Sequence, residues 1–355
     1  MLRKEAVGLR GFRDRDYVKT LEGLYFTVLG NVHPKDKVIA YLKYAPSNKG
    51  MWGKAPHLYD RPIKDYTVHN VNKMMSFLSN HYPQYIDEVF NIKFSAVPCK
   101  NIAVHYKPEE KLQELINLKV KDELQRKTVK LASILSKESG VSIENFGVTG
   151  SILINLHNLK FSDIDLTVYG KENSLAIKES LKNIFLKNKG EIKKFSIKDF
   201  KEWYKGKGSL YPLTFKEALT IFERAWNKGK FHETPFSIHP VKIENEVKEE
   251  FGEEKYFSLG LVTVKTKIID ANESFFMPGK YKVDFKLKHN NEEIKVEEIV
   301  TFEGFYAGIA EAGEEVLIKG KLERVENKNR NKIYFRIVIG SFEAKGKDYI
   351  KIFKD

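Results

Sequence analysis

Apolar and polar positions follow three regimes along the chain. Up to residue 107, short runs rich in β-branched and aromatic residues, LYFTVLG (24–30), KVIAYLKY (37–44) and IKFSAVP (92–98), predict strands. NVHPKD between the first two predicts a hairpin turn. Segments 69–82 and 83–90 read as helices. From Pro108 the apolar spacing becomes helical, with Leu112, Leu115, Ile116, Leu118 and Leu124, then Val129, Leu131, Ile134 and Leu135. Pro108, Glu109 and Glu110 suit a helix start and Gly140 a stop, so one helix over 108–139 is expected. Helices over 172–188 and 214–230 follow, the second with Thr214 as N-cap. Strands are expected at 146–149, 164–169 and 235–241. From residue 257 the alternation is that of strands, over 259–269, 281–289, 293–302, 315–326, 332–342 and 349–353.

This pattern predicts an α+β chain in three parts. They are an N-terminal α/β domain (1–107), a central domain (108–245) and an all-β barrel or sandwich of OB-like size (257–355), joined by a charged linker (246–256). The glycine-, proline- and aromatic-rich segment 45–62 reads as a long surface loop. Around it Lys43, Lys49, Trp52, Lys54, His57, Tyr59 and Arg61 interleave cations with rings, which suits phosphate contact with base stacking or, equally, a loop pinned by its aromatics. On the last strands Lys319, Lys321, Arg324, Arg330 and Arg336 are expected on an exposed face, compatible with oligonucleotide binding or with a packing module.

Composition narrows the class. With 355 residues, 42% of them hydrophobic, there is enough apolar surface for two or three cores. The net charge of +13 favours a polyanionic partner such as a nucleotide, RNA or DNA, though lysine-rich faces also serve solubility. The Lys- and Glu-rich charge suits a thermophile, as A+T-rich coding also would. A single cysteine, Cys99, excludes an intramolecular disulfide framework and a cysteine zinc cluster. The N-terminus lacks a signal-peptide core and no apolar run is long enough for a membrane span, so a cytoplasmic protein without a membrane partner is expected.

The candidate chemistry lies in FGVTGSILINLHNLKFSDIDLTVY (146–169). Residues i and i+2 of a strand share a face, so Asp163 and Asp165 present two carboxylates together while Ile164 and Leu166 point into a core. Paired carboxylates form an oxygen-rich site for Mg2+ or Mn2+. Gly150 permits a tight turn, and Ser151 opens a helix whose free N–H groups favour phosphate. A phosphate site beside a divalent-metal site constitutes a nucleoside-triphosphate site. The sequence shows no dinucleotide-binding GxGxxG, Walker A or HExxH motif.

The pair Gly150-Ser151 with Asp163-Ile164-Asp165-Leu166 resembles the DNA-polymerase-beta-type nucleotidyltransferase superfamily over the central third of the chain. The whole chain also looks like archaeal predicted nucleotidyltransferases with a domain on each side. The resemblance implies transfer of an NMP from an NTP to a hydroxyl, such as an RNA end. Asp163 and Asp165 would be catalytic and metal-holding, and Gly150 and Ser151 would bind nucleotide. It also implies a third carboxylate from a neighbouring strand. In 235–241, Phe236 and Ile238 are expected to face the core and Ser237 and His239 the site, so no acid stands there. Glu191, Glu233 and Glu244 are nearby acids, and His239 is a candidate base. Loss of the third acid leaves a second expectation, a nucleotide- or nucleic-acid-binding module without turnover.

Overall fold

The computed structural model describes residues 10–62, 68–89, 92–187 and 190–353. Over these the chain is α+β, with three sheets and seven α-helices. The first sheet contains β1 (Tyr17–Thr20), β2 (Tyr25–Val28), β3 (Lys37–Pro46), β4 (Trp52–Lys54) and β5 (His57–Asp60). After α1 (Val68–His81) come β6 (Ile86–Val89), β7 (Ile92–Pro98) and β8 (Ile102–Tyr106). The order is β4-β5-β3-β2-β1-β8, with β7 pairing β3 and β6. Val18, Phe26, Val28, Val38, Ala40 and Leu42 cover one face and pack on Val71, Met74 and Leu78 of α1.

Two local expectations fail in this region. The segment 45–62 is not a loop but carries the β4–β5 hairpin, which extends the sheet from the end of β3. Its aromatics drive this: Trp52 and Tyr59 are buried with Tyr44, and burying each ring stabilises by about 1.5–3 kcal/mol. Of the expected helix 83–90, residues 83–89 are not α-helical and residue 90 lies outside the described residues. Pro83–Tyr85 form a single 3-10 turn, and Ile86 begins β6.

The central region comprises α2 (Pro108–Asn117), α3 (Glu123–Ser139), β9 (Phe146–Val148), α4 (Gly150–Leu153), β10 (Ile164–Tyr169) and α5 (Lys171–Lys187). It continues through β11 (Ile192–Lys193), α6 (Ile197–Gly206), α7 (Phe215–Arg224), β12 (Lys228–Phe231) and β13 (Thr234–Val241). The expected helix 108–139 is two helices, because Asp122 forms a capping box with Gln125 and restarts the chain as α3. The expected helix 214–230 stops at Arg224, and Lys228 starts a strand. Gly229 suits the strand: a Cβ there would lie 2.5 Å from the Lys193 carbonyl, so a larger residue would push β12 away from β11. The sheet order is β11-β12-β13-β10-β9, with β10 parallel to β13 and antiparallel to β9. The α2, α3 and α5 residues Leu112, Leu131, Leu135, Ile177 and Leu181 cover its apolar face.

The remaining strands are β14 (Glu254–Lys267), β15 (Asp270–Glu273), β16 (Gly279–His289), β17 (Glu292–Thr301), β18 (Glu315–Asn327), β19 (Lys332–Ile339) and β20 (Tyr349–Ile352). They form one seven-stranded sheet, β14-β18-β19-β17-β16-β15 with β20 on β18. It is mixed rather than antiparallel throughout, since β17 and β19 run parallel. The charged stretch before it is not a free linker. Glu246 accepts the Lys171 N–H at 2.7 Å, and Glu249 pairs with Lys280 at 2.9 Å. Nor is Arg336 on an exposed face: it is buried, donates to Glu323 at 2.9 Å and lies over the Tyr256 ring. Lys321 is likewise turned onto Glu323.

The three sheets are not separate beads. Phe200, Leu213, Ala218 and Ile221 of the central region share a core with Tyr281, Ile299 and Leu322 of the last sheet. Phe275 and Phe276 of the β15–β16 connection enter the central core. On the other side, Arg10 bridges Asp16 and Glu109, donating to Asp16 at 2.6 Å and to Glu109 Oε2 at 2.7 Å. Tyr169 donates to Glu109 at 2.8 Å.

This bridge carries a pH dependence. Burial alone would raise Glu109, but the Arg10 hydrogen bonds and charge outweigh it and hold the carboxyl down at about 2, from an ordinary 4.5. A depressed acid stabilises the fold above its unfolded pKa and loses that contribution as pH falls through the window from 4.5 to 2. With discounting for partial exposure, the contribution is about 1–2 kcal/mol. Urea midpoints of wild type and Glu109→Gln should therefore differ at pH 7 and converge as the pH approaches 2. A constant gap would rule the bridge out as the source.

Candidate functional site

The site is built on the central sheet. Ile164, Leu166 and Val168 of β10 are fully buried, so alternation turns Asp165 to the opposite face, with Asp163 one step before the strand on the same side. On the parallel neighbour β13, Phe236 and Ile238 are buried, Ser237 lies opposite Asp165 and His239 opposite Thr167. Ser237 donates to Asp165 Oδ1, and His239 Nε2 lies 2.8 Å from Ser237 Oγ and 3.4 Å from Asp165 Oδ1. The consistent proton arrangement is His239 Nε2–H donating to Ser237 and Ser237 to the carboxylate.

Gly150 sits against the same carboxylate from the other side. Its φ is +68°, and a Cβ on it would lie 2.5 Å from Asp165 Oδ2. The glycine is thus required twice, by its backbone conformation and by the approach of the acid. Thr149 N–H donates to the Asp165 carbonyl at 2.9 Å, which ties the turn to β10. Ser151 does not face the same space. It is buried, and its Oγ lies 3.3 Å from Ser162 Oγ beneath the turn.

A cavity of about 330 Å³ opens over these residues. Thr149, Gly150, Asp163, Asp165 and His239 line its central side, while Phe275, Phe276, Gly304 and Ala307 line it from the C-terminal side. The N-terminal side contributes Asp14, Arg15, Tyr17, Thr27, Lys43 and Arg61. Lys43 and Arg61 belong to the cation–aromatic set read from the sequence, whereas Lys49, Lys54 and His57 of that set do not line the cavity. Asp14, Arg15 and Lys228 line it and escaped the sequence reading, because no motif surrounds them and Lys228 was expected in a helix. The three spare acids lie elsewhere. Glu191 pairs with Lys130 and with His232, Glu233 pairs with Lys193 and Lys230, and Glu244 pairs with Arg13.

The electrostatics separate the two acids. The neighbouring charge of Asp165, reinforced by burial, raises Asp163 to about 6. Burial pushes Asp165 up as well, but hydrogen bonds from His239 and Ser237 and the charge of Lys43 more than offset this and hold it well below the usual carboxylate range. Burial, and then Arg15, lower His239 to about 4, so it is neutral at pH 7. Burial and Arg61 bring Lys43 down to about 7 against the pull of Asp165 and Asp163. Hence the site keeps one permanent carboxylate and one that accepts a proton just below neutrality.

Two adjacent hard-oxygen acids at a cavity wall suit Mg2+ or Mn2+, which needs only one or two protein carboxylates when phosphates and water complete its shell. Among the described residues no three His, Cys, Asp or Glu side chains converge to hold a metal by themselves, so further donors would have to come from substrate and water. The described helices include none long and apolar enough to cross a membrane.

The chain is 34% identical over 354 residues to "Uncharacterized protein MJ1086" of the archaeon Methanocaldococcus jannaschii, with 96% of this chain and 98% of that protein aligned. It belongs to the same family. The similarity therefore spans all three sheets and the site, not the central region alone. No family model matches the chain, and no solved structure matches it.

Proposed function

We propose that the protein is a divalent-metal-dependent nucleotidyltransferase that moves an NMP from an NTP to a hydroxyl, with the end of an RNA as the acceptor its basic charge favours. The observation that carries this reading is the joint placement of Asp163 and Asp165 on one face at the head of β10, beside the Gly150 turn and under a cavity rich in cations. The mixed order β13-β10-β9, with the acids on the middle strand, also supports a polymerase-beta-type core.

In the reaction the hydroxyl oxygen bonds to the α-phosphorus and the bond to the bridging oxygen breaks. Pyrophosphate leaves, and the hydroxyl loses its proton. Asp163 and Asp165 would hold Mg2+, which when bound supplies charge neutralisation at the phosphates and eases loss of the hydroxyl proton. Ser237 and His239 keep Asp165 ionised and aimed, neutral His239 donating through Nε2 to Ser237, and the hydroxyl proton passes to solvent water.

The Ser237 position, where the superfamily resemblance implies a third acid, favours a second reading: a nucleotide- or RNA-binding module without turnover. Incubating the protein with labelled ATP or CTP, Mg2+ or Mn2+ and an RNA pool separates them. Labelled RNA is the expected product, whereas RNA retention with no labelled product would replace the enzyme by the binding module.

A further inference from the structure

We propose that the polyphosphate of the nucleotide is gripped from the N-terminal sheet, by Lys43 and Arg15, rather than by the serine of the Gly150-Ser151 turn. This rests on the nucleotidyltransferase reading and adds to it the residues that hold the leaving group.

Three observations converge. The first is how Lys43 is aimed. Tyr25 pairs with Tyr44 and Phe26 with Leu42, so Lys43 is the extra residue of a β-bulge between β2 and β3. A bulge breaks the alternation and redirects one side chain. Here alternation from Leu42, in the α1 core, already turns Lys43 to the cavity that holds Asp163 and Asp165, and the redirected side chain is that of Tyr44, which joins the aromatic cluster with Trp52 and Tyr59.

The second is the backbone of Arg15, which has φ +70°. A bulky residue in the left-handed region is strained, and such strain persists only where surrounding structure enforces it. Two contacts enforce it: Arg15 N–H donates to the Val28 carbonyl at 3.1 Å, and Thr149 Oγ1 donates to the Arg15 carbonyl at 2.7 Å. The backbone that carries the cation is therefore fastened to the residue immediately before Gly150.

The third is the balance of charge. Arg15, Lys43, Arg61, Lys207 and Lys228 line the cavity against Asp14, Asp163 and Asp165. Asp14 is already engaged by the Gly30 N–H at 2.9 Å and by Arg15 at 3.2 Å. With a divalent cation on the paired acids, the wall opposite them is a surplus of positive charge facing a polyanion. Arg61 is held in place by its neighbours, stacked 3.7 Å over Trp52 and donating to Tyr44 at 2.6 Å. Ser151, by contrast, is turned to Ser162.

The test measures binding of magnesium tripolyphosphate by calorimetry, with Mn2+ binding alone read in parallel. The full-length chain is compared with Lys43→Gln, Lys43→Arg and Arg15→Gly, the last removing the cation while accepting the left-handed backbone without strain. Lys43→Gln and Arg15→Gly should each weaken tripolyphosphate binding about 10- to 100-fold, as expected for charge-assisted hydrogen bonds. Lys43→Arg should recover part of the loss, and none of the three should bind Mn2+ more weakly than the wild type. Wild-type tripolyphosphate affinity in both Lys43→Gln and Arg15→Gly would overturn the grip and leave the transferase reading standing. No binding of tripolyphosphate by the wild type would overturn both.

Discussion

Asp165→Asn is expected to abolish nucleotidyl transfer, by at least about 10³-fold, and to lower the stability of the fold modestly at neutral pH. The loss follows from position: Asp165 is the acid that stays ionised, aimed by Ser237 and flanked by Gly150. Removing one preorganised electrostatic group commonly costs 10²- to 10³-fold, and a metal-holding carboxylate costs more. The stability loss follows from the depressed Asp165 pKa: a carboxylate held below its ordinary value stabilises the fold at neutral pH, and relief of the repulsion on Asp163 offsets this only in part. Asp163→Asn should lose metal binding comparably. In the wild type, Mn2+ affinity should fall as pH drops below about 6, because the proton taken up by Asp163 competes with the metal. Mn2+ titrations, label transfer and thermal melts on the same preparations check all of this. Full transfer in either variant would remove these acids from the site.

Tyr281→Phe is expected to destabilise the protein by about 2–4 kcal/mol, although it removes only an oxygen. Tyr281 is fully buried in the core beneath the last sheet. Its hydroxyl donates to the Tyr306 carbonyl at 2.6 Å and accepts the Ile309 N–H at 3.0 Å. Phenylalanine preserves the packing volume but strands both backbone groups away from water. The same connection brings Gly304 and Ala307 to the cavity wall and sets Gly308 against Trp226, so loosening it should also raise the KM for NTP several-fold. Urea denaturation gives the first effect and initial rates the second. An unchanged midpoint would show that water or another donor satisfies the connection.

Much of the central region is legible without coordinates, because its signals are local. Alternation in DIDLTV turns the acids to one face, and the same rule in PFSIHPV places Ser237 and His239 beside them. Gly150 declares a turn by lacking a Cβ. The errors arose where periodicity had two solutions or where distant partners chose between them. The apolar spacing over 108–139 is helical on both sides of Asp122, so only the capping box marks the break. The segment 45–62 carries loop composition, but its rings find a core that the local chain does not display.

The sequence by itself determined the α+β class, the faces of β10 and β13 and the pairing of Asp163 with Asp165, since these depend on neighbours two to four residues apart. Only the tertiary structure decided which cations meet those acids. Lys43 lines their cavity from β3 beside a one-residue bulge that turns Tyr44 into the aromatic cluster, Arg15 is held left-handed by Val28 and Thr149, and Arg336, which the alternation had placed outside, is drawn inward by Glu323. Each of these depends on a contact between segments far apart in the chain, whose balance of strain, desolvation and pairing no local pattern encodes.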